Sequence, residues 1–333
     1  MESVRCDLCH CEATEASLHL DERMFQKGSF TIVRCKRCGL LYTNPRPTQE
    51  EISSFYPKGY YAYTPSERRK PKRLEQKVFD LVLEQYYGYT HLNKGGKKGR
   101  LAGRLRKIAA FPFYLRLSLL GKNIKIIPYR GEGRLLEIGC ATGEALELFG
   151  QKGWTPYGVE MDREAARYAS EARGLKVTGG TLGQARFSDS FFDVVYFSHA
   201  FEHLPNPMET LREVHRILKP AGRVIVKLPN AASLERAFFR RYWLHWDVPR
   251  HYYHFTQDLL KRALKETGFA VETVRYDLGT LGLRESLKIY LRERYGRELK
   301  DNRLLEIGLG GFACLFAYLR RGGVMVLYAR KEG

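Results

Sequence analysis

A chain of 333 residues is long enough for about two domains, and its 44% hydrophobic and 13% aromatic content is ample for packed cores, which excludes global disorder. Fifty-six Lys and Arg against 37 Asp and Glu give a formal charge of +19. Thirteen of those charges arise between residues 66 and 130, where 17 basic side chains stand against 4 acidic ones, so an anionic partner is expected to dock on one region.

The longest nearly apolar stretches, 109–121 and 309–319, fall short of the roughly 20 residues of a bilayer span, and no span is predicted. The opening MESVRCDLCH lacks a charged head followed by an apolar run. No signal peptide is expected, and the expected location is cytoplasmic.

Five of the seven cysteines crowd into the first 38 residues. Cys6 and Cys9 form one CxxC and Cys35 and Cys38 a second, with 25 residues between the pairs. In a reducing compartment, four thiolates at this spacing predict one tetrahedral structural zinc in a module over residues 1–45, with Gly39 turning the second knuckle and His10 and Cys11 as spare ligands. Residues 46–130 read as a connector followed by a basic helical cap. Leu74, Val78, Leu81, Val82 and Tyr86 recur at helical spacing up to Gly88, NKGGKKGR at 93–100 is a flexible basic loop, and RLAGRLRKIAAFPFYLRLSLLG is a second helix that Pro112 should kink or break.

From residue 131 to the end the texture becomes α/β. RLLEIG, PYGVEMD, LKVTGG, FDVVYFSHA and RVIVKLP read as strands alternating with helices. One of these is METLREVHRILKP, with Asn206 as cap, Pro207 in first position and Glu209 at the third; another is TQDLLKRALKETG, begun by Thr256. AVETVRYD and VMVLYARK are two further strands. This repetition predicts a parallel, doubly wound sheet.

The strand RLLEI runs into Gly139, Ala141 and Gly143 and then a helix, a turn whose glycines let backbone approach a ligand. A pyrophosphate turn would prefer Gly at 139, 141 and 144, whereas this chain has Ala141 and Glu144. Glu137 at the strand end would oppose phosphate. A cationic ligand such as S-adenosylmethionine, with an ammonium, a sulfonium and no phosphate, suits the turn better. Glu160 ends the second strand, 21 residues after Gly139, where a carboxylate can accept both ribose hydroxyls.

On these residues, segment 131 to about 277 resembles a class I S-adenosylmethionine-dependent methyltransferase. Glu137, Gly139 and Gly143 match that family's glycine turn, and Glu160 its ribose acid. DVVYFSHAFEHLPNP, with His199, Glu202 and His203, matches its fourth-strand segment, and PRHYYHFT a later one. The resemblance implies a Rossmann-like, seven-stranded methyltransferase domain over 131–333. It also implies a cofactor-contact set of Glu137, Gly139, Cys140, Ala141, Gly143, Glu160, Met161 and His199. GGTLGQARF lacks the carboxylate that many relatives place near the adenine amino group, and Cys140 has no base beside it in sequence. The cysteine-bearing lead-in resembles one often attached to such enzymes, some of them sugar-modifying.

For methyl transfer to a hydroxyl, a neutral histidine can take the acceptor's proton. His203 is the expected base, His254 the alternative, Glu202 an orienting carboxylate, and 243–255 a lid over the crevice. The expected acceptor is a glycan or lipid-linked intermediate, with residues 66–130 meeting an anionic membrane at its inner face. The alternatives are an RNA acceptor, or a non-enzymatic, zinc-bearing interaction protein with a relict fold.

Overall fold

The computed structural model describes residues 1–56, 73–92, 100–119 and 126–332. The second half of the connector, the basic loop at 93–99 and the apolar end of the second basic segment lie outside the described residues. The chain divides into two compact units, residues 1–60 with 197–333, and residues 61–196.

In the first unit, β1 (Thr14–Asp21), β2 (Ser29–Cys35) and β3 (Leu41–Thr43) pair antiparallel. The fourth strand of this sheet comes from far along the chain. β9 (Tyr253–His254) pairs with β3, setting Leu41 opposite His254 and Tyr42 opposite Tyr253. The apolar face of the small sheet, Phe30, Ile32 and Leu41, joins a buried cluster with Trp243, Trp246 and Val248. Segment 243–255 is therefore core rather than the expected lid: Trp243, Arg250, Tyr253 and Phe255 are all buried. Its aromatic side chains gain more from the packed interior than an exposed flap would allow.

The larger sheet has the order β10-β11-β8-β7-β4-β5-β6. Its strands are β4 (Arg134–Ile138), β5 (Thr155–Glu160), β6 (Lys176–Gly179), β7 (Phe192–Ser198), β8 (Leu218–Pro229), β10 (Phe269–Tyr276) and β11 (Val324–Lys331). β4, β5 and β6 pair parallel, each crossing through one helix, α3 (Glu144–Gln151) or α4 (Arg163–Glu171). β11 departs from the expected parallel sheet, running antiparallel to both β8 and β10. Two helices, α8 (Leu281–Tyr295) and α9 (Arg303–Tyr318), separate β10 from β11. A single crossover helix returns a chain to the start of its strand, whereas an out-and-back pair returns it to the end it left.

The cap of α5 (Pro207–Ile217) also differs from expectation. Asn206 makes no side-chain capping bond; instead the Met208 N–H donates to Asp7 Oδ2 at 2.8 Å. α7 (Gln257–Glu266) starts as expected, with Thr256 Oγ1 accepting from the Leu259 N–H.

In the second unit, α1 (Arg73–Tyr86) packs against α2 (Arg100–Leu119) through Tyr86 stacked on Tyr114 and an Arg106–Glu84 ion pair. α2 continues through Pro112. A helical proline strips a donor from only one carbonyl, and the buried Ala110 and the contacts with α1 hold the helix on both sides of it. Among the described residues no helix is long and apolar enough to cross a membrane.

Candidate active site and cysteine centre

The four cysteines converge. Cys6 Sγ lies 3.5 Å from Cys38 Sγ and Cys9 Sγ 3.4 Å from Cys35 Sγ, and all four sulfurs lie within 4.8 Å of one another. Tetrahedral zinc with Zn–S bonds of about 2.3 Å holds sulfurs about 3.8 Å apart, so the donor set fits that ion with little movement. Each knuckle is a turn in which a backbone N–H closes on the first cysteine's carbonyl, His10 on Cys6 and Gly39 on Cys35. Burial raises the Cys35 thiol, but N–H groups of Cys38 and Arg37 outweigh it and bring it down to about 6, whereas burial holds the Cys6 and Cys38 thiols above their usual range, so full ionisation of the four needs a cation among them. Cys11 lies outside the four.

In the second unit, the turn after β4 takes three left-handed residues in five, Gly139 (φ 76°), Ala141 (φ 47°) and Gly143 (φ 77°). At Gly143 a Cβ would stand 2.5 Å from Leu175 Cδ1, a side-chain end that can shift, so it is the positive φ that favours glycine there. Ala141 is held in its strained conformation because its N–H donates to Glu160 Oε2 at 2.8 Å. The other oxygen of Glu160 accepts from the Asp162 N–H at 2.9 Å. Each carboxylate oxygen keeps a further lone pair for a ligand hydroxyl.

Glu137 is 4% exposed, and its Oε2 is buried without a partner. Burial, then the charge of Glu160, push its carboxyl up to about 8. An acid buried in this way beside a second one favours its protonated form until a positive charge is brought next to it. Burial first, with Glu137 and Glu160 adding to it, also holds the Cys140 thiol well above its usual range, and Cys140 packs where a Gly158 Cβ would go. Met161 is half exposed beyond the strand end.

In the first unit, the short helical turn Phe201–His203 places Glu202, 1% exposed, in a ring of histidines. Both Glu202 oxygens are buried without a hydrogen bond. His199 Nδ1 lies 3.5 Å and His251 Nε2 4.0 Å from Glu202 Oε1. Burial would raise the Glu202 carboxyl, but His199, His251 and His203 outweigh it and bring it down to about 2. Burial and then His251 lower His203 to about 4.

Two backbone carbonyls fix the tautomers. His203 Nδ1 is 2.9 Å from the Arg250 carbonyl and His251 Nδ1 is 2.9 Å from the His245 carbonyl. A carbonyl only accepts, so both Nδ1 atoms carry the proton; on His203, which burial keeps neutral, Nε2 then presents a lone pair. His254 is buried against Trp246 with its Nε2 unpartnered.

Arg250 fastens this cluster from beneath. It donates to Glu22 Oε1 and to the Phe55 carbonyl, each at 2.9 Å, and to both oxygens of Asp247. Neither Glu22 nor Asp247 stood out in the sequence. Arg250 was visible within PRHYYHFT, but no spacing rule ties it to an acid 228 residues away.

A family profile described as "Methyltransferase domain" matches residues 104–274, just over half of the chain. An uncharacterized protein of Methanocaldococcus jannaschii is 35% identical over 102 residues, which cover 31% of this chain and 47% of that protein. The ubiquinone biosynthesis O-methyltransferase of Pseudomonas aeruginosa is 29% identical over 103 residues, covering 29% and 44%. The chain thus spans less than half the length of these curated relatives. Among solved structures, a SAM dependent methyltransferase from Archaeoglobus fulgidus aligns with a TM-score of 0.44 at 20% identity, covering 66% of this chain and 99% of that one. With the profile spanning a strand, glycine turn, helix, strand and acid in their expected order, the chain belongs to the methyltransferase domain family.

Proposed function

We propose that the enzyme O-methylates a hydroxyl of a glycan or lipid-linked intermediate, with Glu137, Gly139, Ala141, Gly143 and Glu160 holding the cofactor and zinc bracing the N-terminal cysteines. S-adenosylmethionine supplies an electrophilic methyl group on its sulfonium. The observation that carries the reading is the bare Nε2 of His203, fixed by the Arg250 carbonyl. As the acceptor oxygen bonds to the methyl carbon, its proton passes to that nitrogen. Glu202 orients the histidine ring, and His254 is the alternative base. O-transfer also agrees with the activity named for the Pseudomonas relative.

A lipid-linked acceptor and peripheral contact with an anionic leaflet are supported by α2. Its large apolar side chains Leu105, Ile108, Phe111 and Phe113 are exposed beside Arg104 and Lys107. Such a face suits a membrane interface better than it suits RNA.

Cofactor binding is expected to release a proton. The raised Glu137 carboxyl contributes stability to the ligand-free chain that is complete below the ordinary carboxylate range and is lost as pH rises through about 8. A cationic ligand reverses this preference by favouring the ionised form, so affinity should climb with pH and level off above about 8. Calorimetry at pH 7 in buffers of different ionisation enthalpy should show close to one proton released, and Glu137→Gln should abolish it. Identical apparent enthalpies in all buffers would remove Glu137 from the cofactor site.

The function itself is tested by radiolabelled methyl transfer into fractionated glycans, lipid-linked saccharides and RNA, with neutral or anionic vesicles present. Label is expected in a glycan or lipid-linked fraction, and His203→Ala should slow it by at least about a hundredfold with cofactor affinity unchanged. Label confined to RNA, or carried on carbon or nitrogen, would overturn the acceptor assignment.

A further inference from the structure

We propose that Glu202, His203 and His251 form a second metal site, distinct from the cysteine centre, that takes one divalent cation through a Glu202 carboxylate oxygen and the two Nε2 atoms. One donor atom from each of the three side chains lies within 4.8 Å of the others, and His251 Nε2 stands 4.0 Å from Glu202 Oε1. A cation with bonds of about 2.1 Å needs its ligands roughly 3 to 3.5 Å apart, a closure that side-chain torsions can supply.

Three independent features prepare the site. Glu202 is 1% exposed with neither oxygen hydrogen-bonded, so its buried charge faces histidines at 3.5 Å and beyond and has oxygen lone pairs left for a cation. Each histidine spends its Nδ1 proton on a backbone carbonyl, the outer contact that orients a metal-binding imidazole and leaves Nε2 as the donor. Asp247 Oδ2, 3.8 Å from His251 Nε2, steadies that ring, while both Asp247 oxygens accept from Arg250.

Two imidazoles and a carboxylate suit zinc, manganese, iron(II) or cobalt, and leave coordination positions open. A hydroxyl entering an open position becomes more acidic through the cation's charge. The inference concerns the same atoms as the proposed proton transfer but does not depend on which acceptor is used. One lone pair cannot both take a proton and bind a metal, so a metal at this site would make His203 a ligand, and the acceptor's proton would pass to solvent water instead.

The test is titration of the zinc-replete, full-length chain with Mn2+, followed by electron paramagnetic resonance, and separately with Co2+, followed by absorption. One saturable equivalent beyond the cysteine-bound ion is expected, with 14N couplings from two imidazoles in the Mn2+ spectrum. Glu202→Gln and His251→Gln should each weaken binding at least about tenfold while cysteine-bound zinc and cofactor affinity are retained. Saturable binding by neither ion, Mn2+ binding without nitrogen coupling, or unchanged affinity in the folded variants would each overturn the site. Because the nitrogen couplings are read on the wild-type chain, the proposal stays testable even if a variant fails to fold. Metal-free protein that turns over at the full rate would remove the cation from catalysis and leave His203 as the base.

Discussion

Removing the metal from Cys6, Cys9, Cys35 and Cys38 is expected to unfold the N-terminal sheet. A closed four-thiolate zinc site contributes on the order of 10 kcal/mol to a small domain, which exceeds what the short strands around it can supply alone. β3 has only three residues and β9 two, and the second knuckle is what turns the chain from β2 into β3. Without the ion, two part-buried sulfur pairs at 3.4 and 3.5 Å lose the charge that holds them together. Chelation, or Cys6→Ser, should expose the amides of residues 14–43 to rapid hydrogen exchange. Protein purified without added metal should carry close to one equivalent of zinc. Less than a tenth of an equivalent of zinc or iron in well-folded protein, or exchange unaltered by chelation, would refute the site.

The parts of this architecture that were legible in the sequence are those written in local spacing. Two CxxC pairs announce a four-cysteine cluster because both cysteines of each knuckle come from a four-residue turn. Strand, glycine turn, helix and acid at 134–160 announce a nucleotide-type crevice because the whole unit is contiguous. Pairings between distant segments were hidden. Nothing near Leu41 indicates that its strand neighbour is His254, nothing near Met208 indicates that Asp7 caps its helix, and the aromatic run at 243–255 reads equally well as lid or core. The histidine cluster was visible as residue types, but not the tautomers: these depend on the carbonyls of Arg250 and His245, which carry no sequence signal.

Arg250→Met is expected to destabilise the chain by about 3 to 5 kcal/mol, more than an ordinary core substitution, because it breaks a buried charge network from one side. Arg250 is 2% exposed and Glu22 1% exposed. The Glu22 carboxylate also accepts the N–H groups of Met24 and Phe25, at 2.8 and 2.6 Å, so it cannot turn out to water without undoing its own loop. Backbone and Arg250 bonds together hold its carboxyl below the usual range even though burial raises it. Removing the guanidinium leaves that charge buried with no counter-ion, and also frees the Phe55 carbonyl and Asp247. The loss should appear as a lower denaturation midpoint with an unchanged slope. Glu22→Gln alone should cost less, since a neutral amide can keep a hydrogen bond to Arg250. The double variant should be more stable than the sum of the two losses predicts, because the stranded charge is gone. Arg250 also sets the carbonyl that holds His203 Nδ1, so Arg250→Met should slow methyl transfer even at temperatures where the chain stays folded. Strict additivity of the two substitutions would show that Glu22 and Arg250 act independently, and the buried pair would then not be what fastens the small sheet to the histidine cluster.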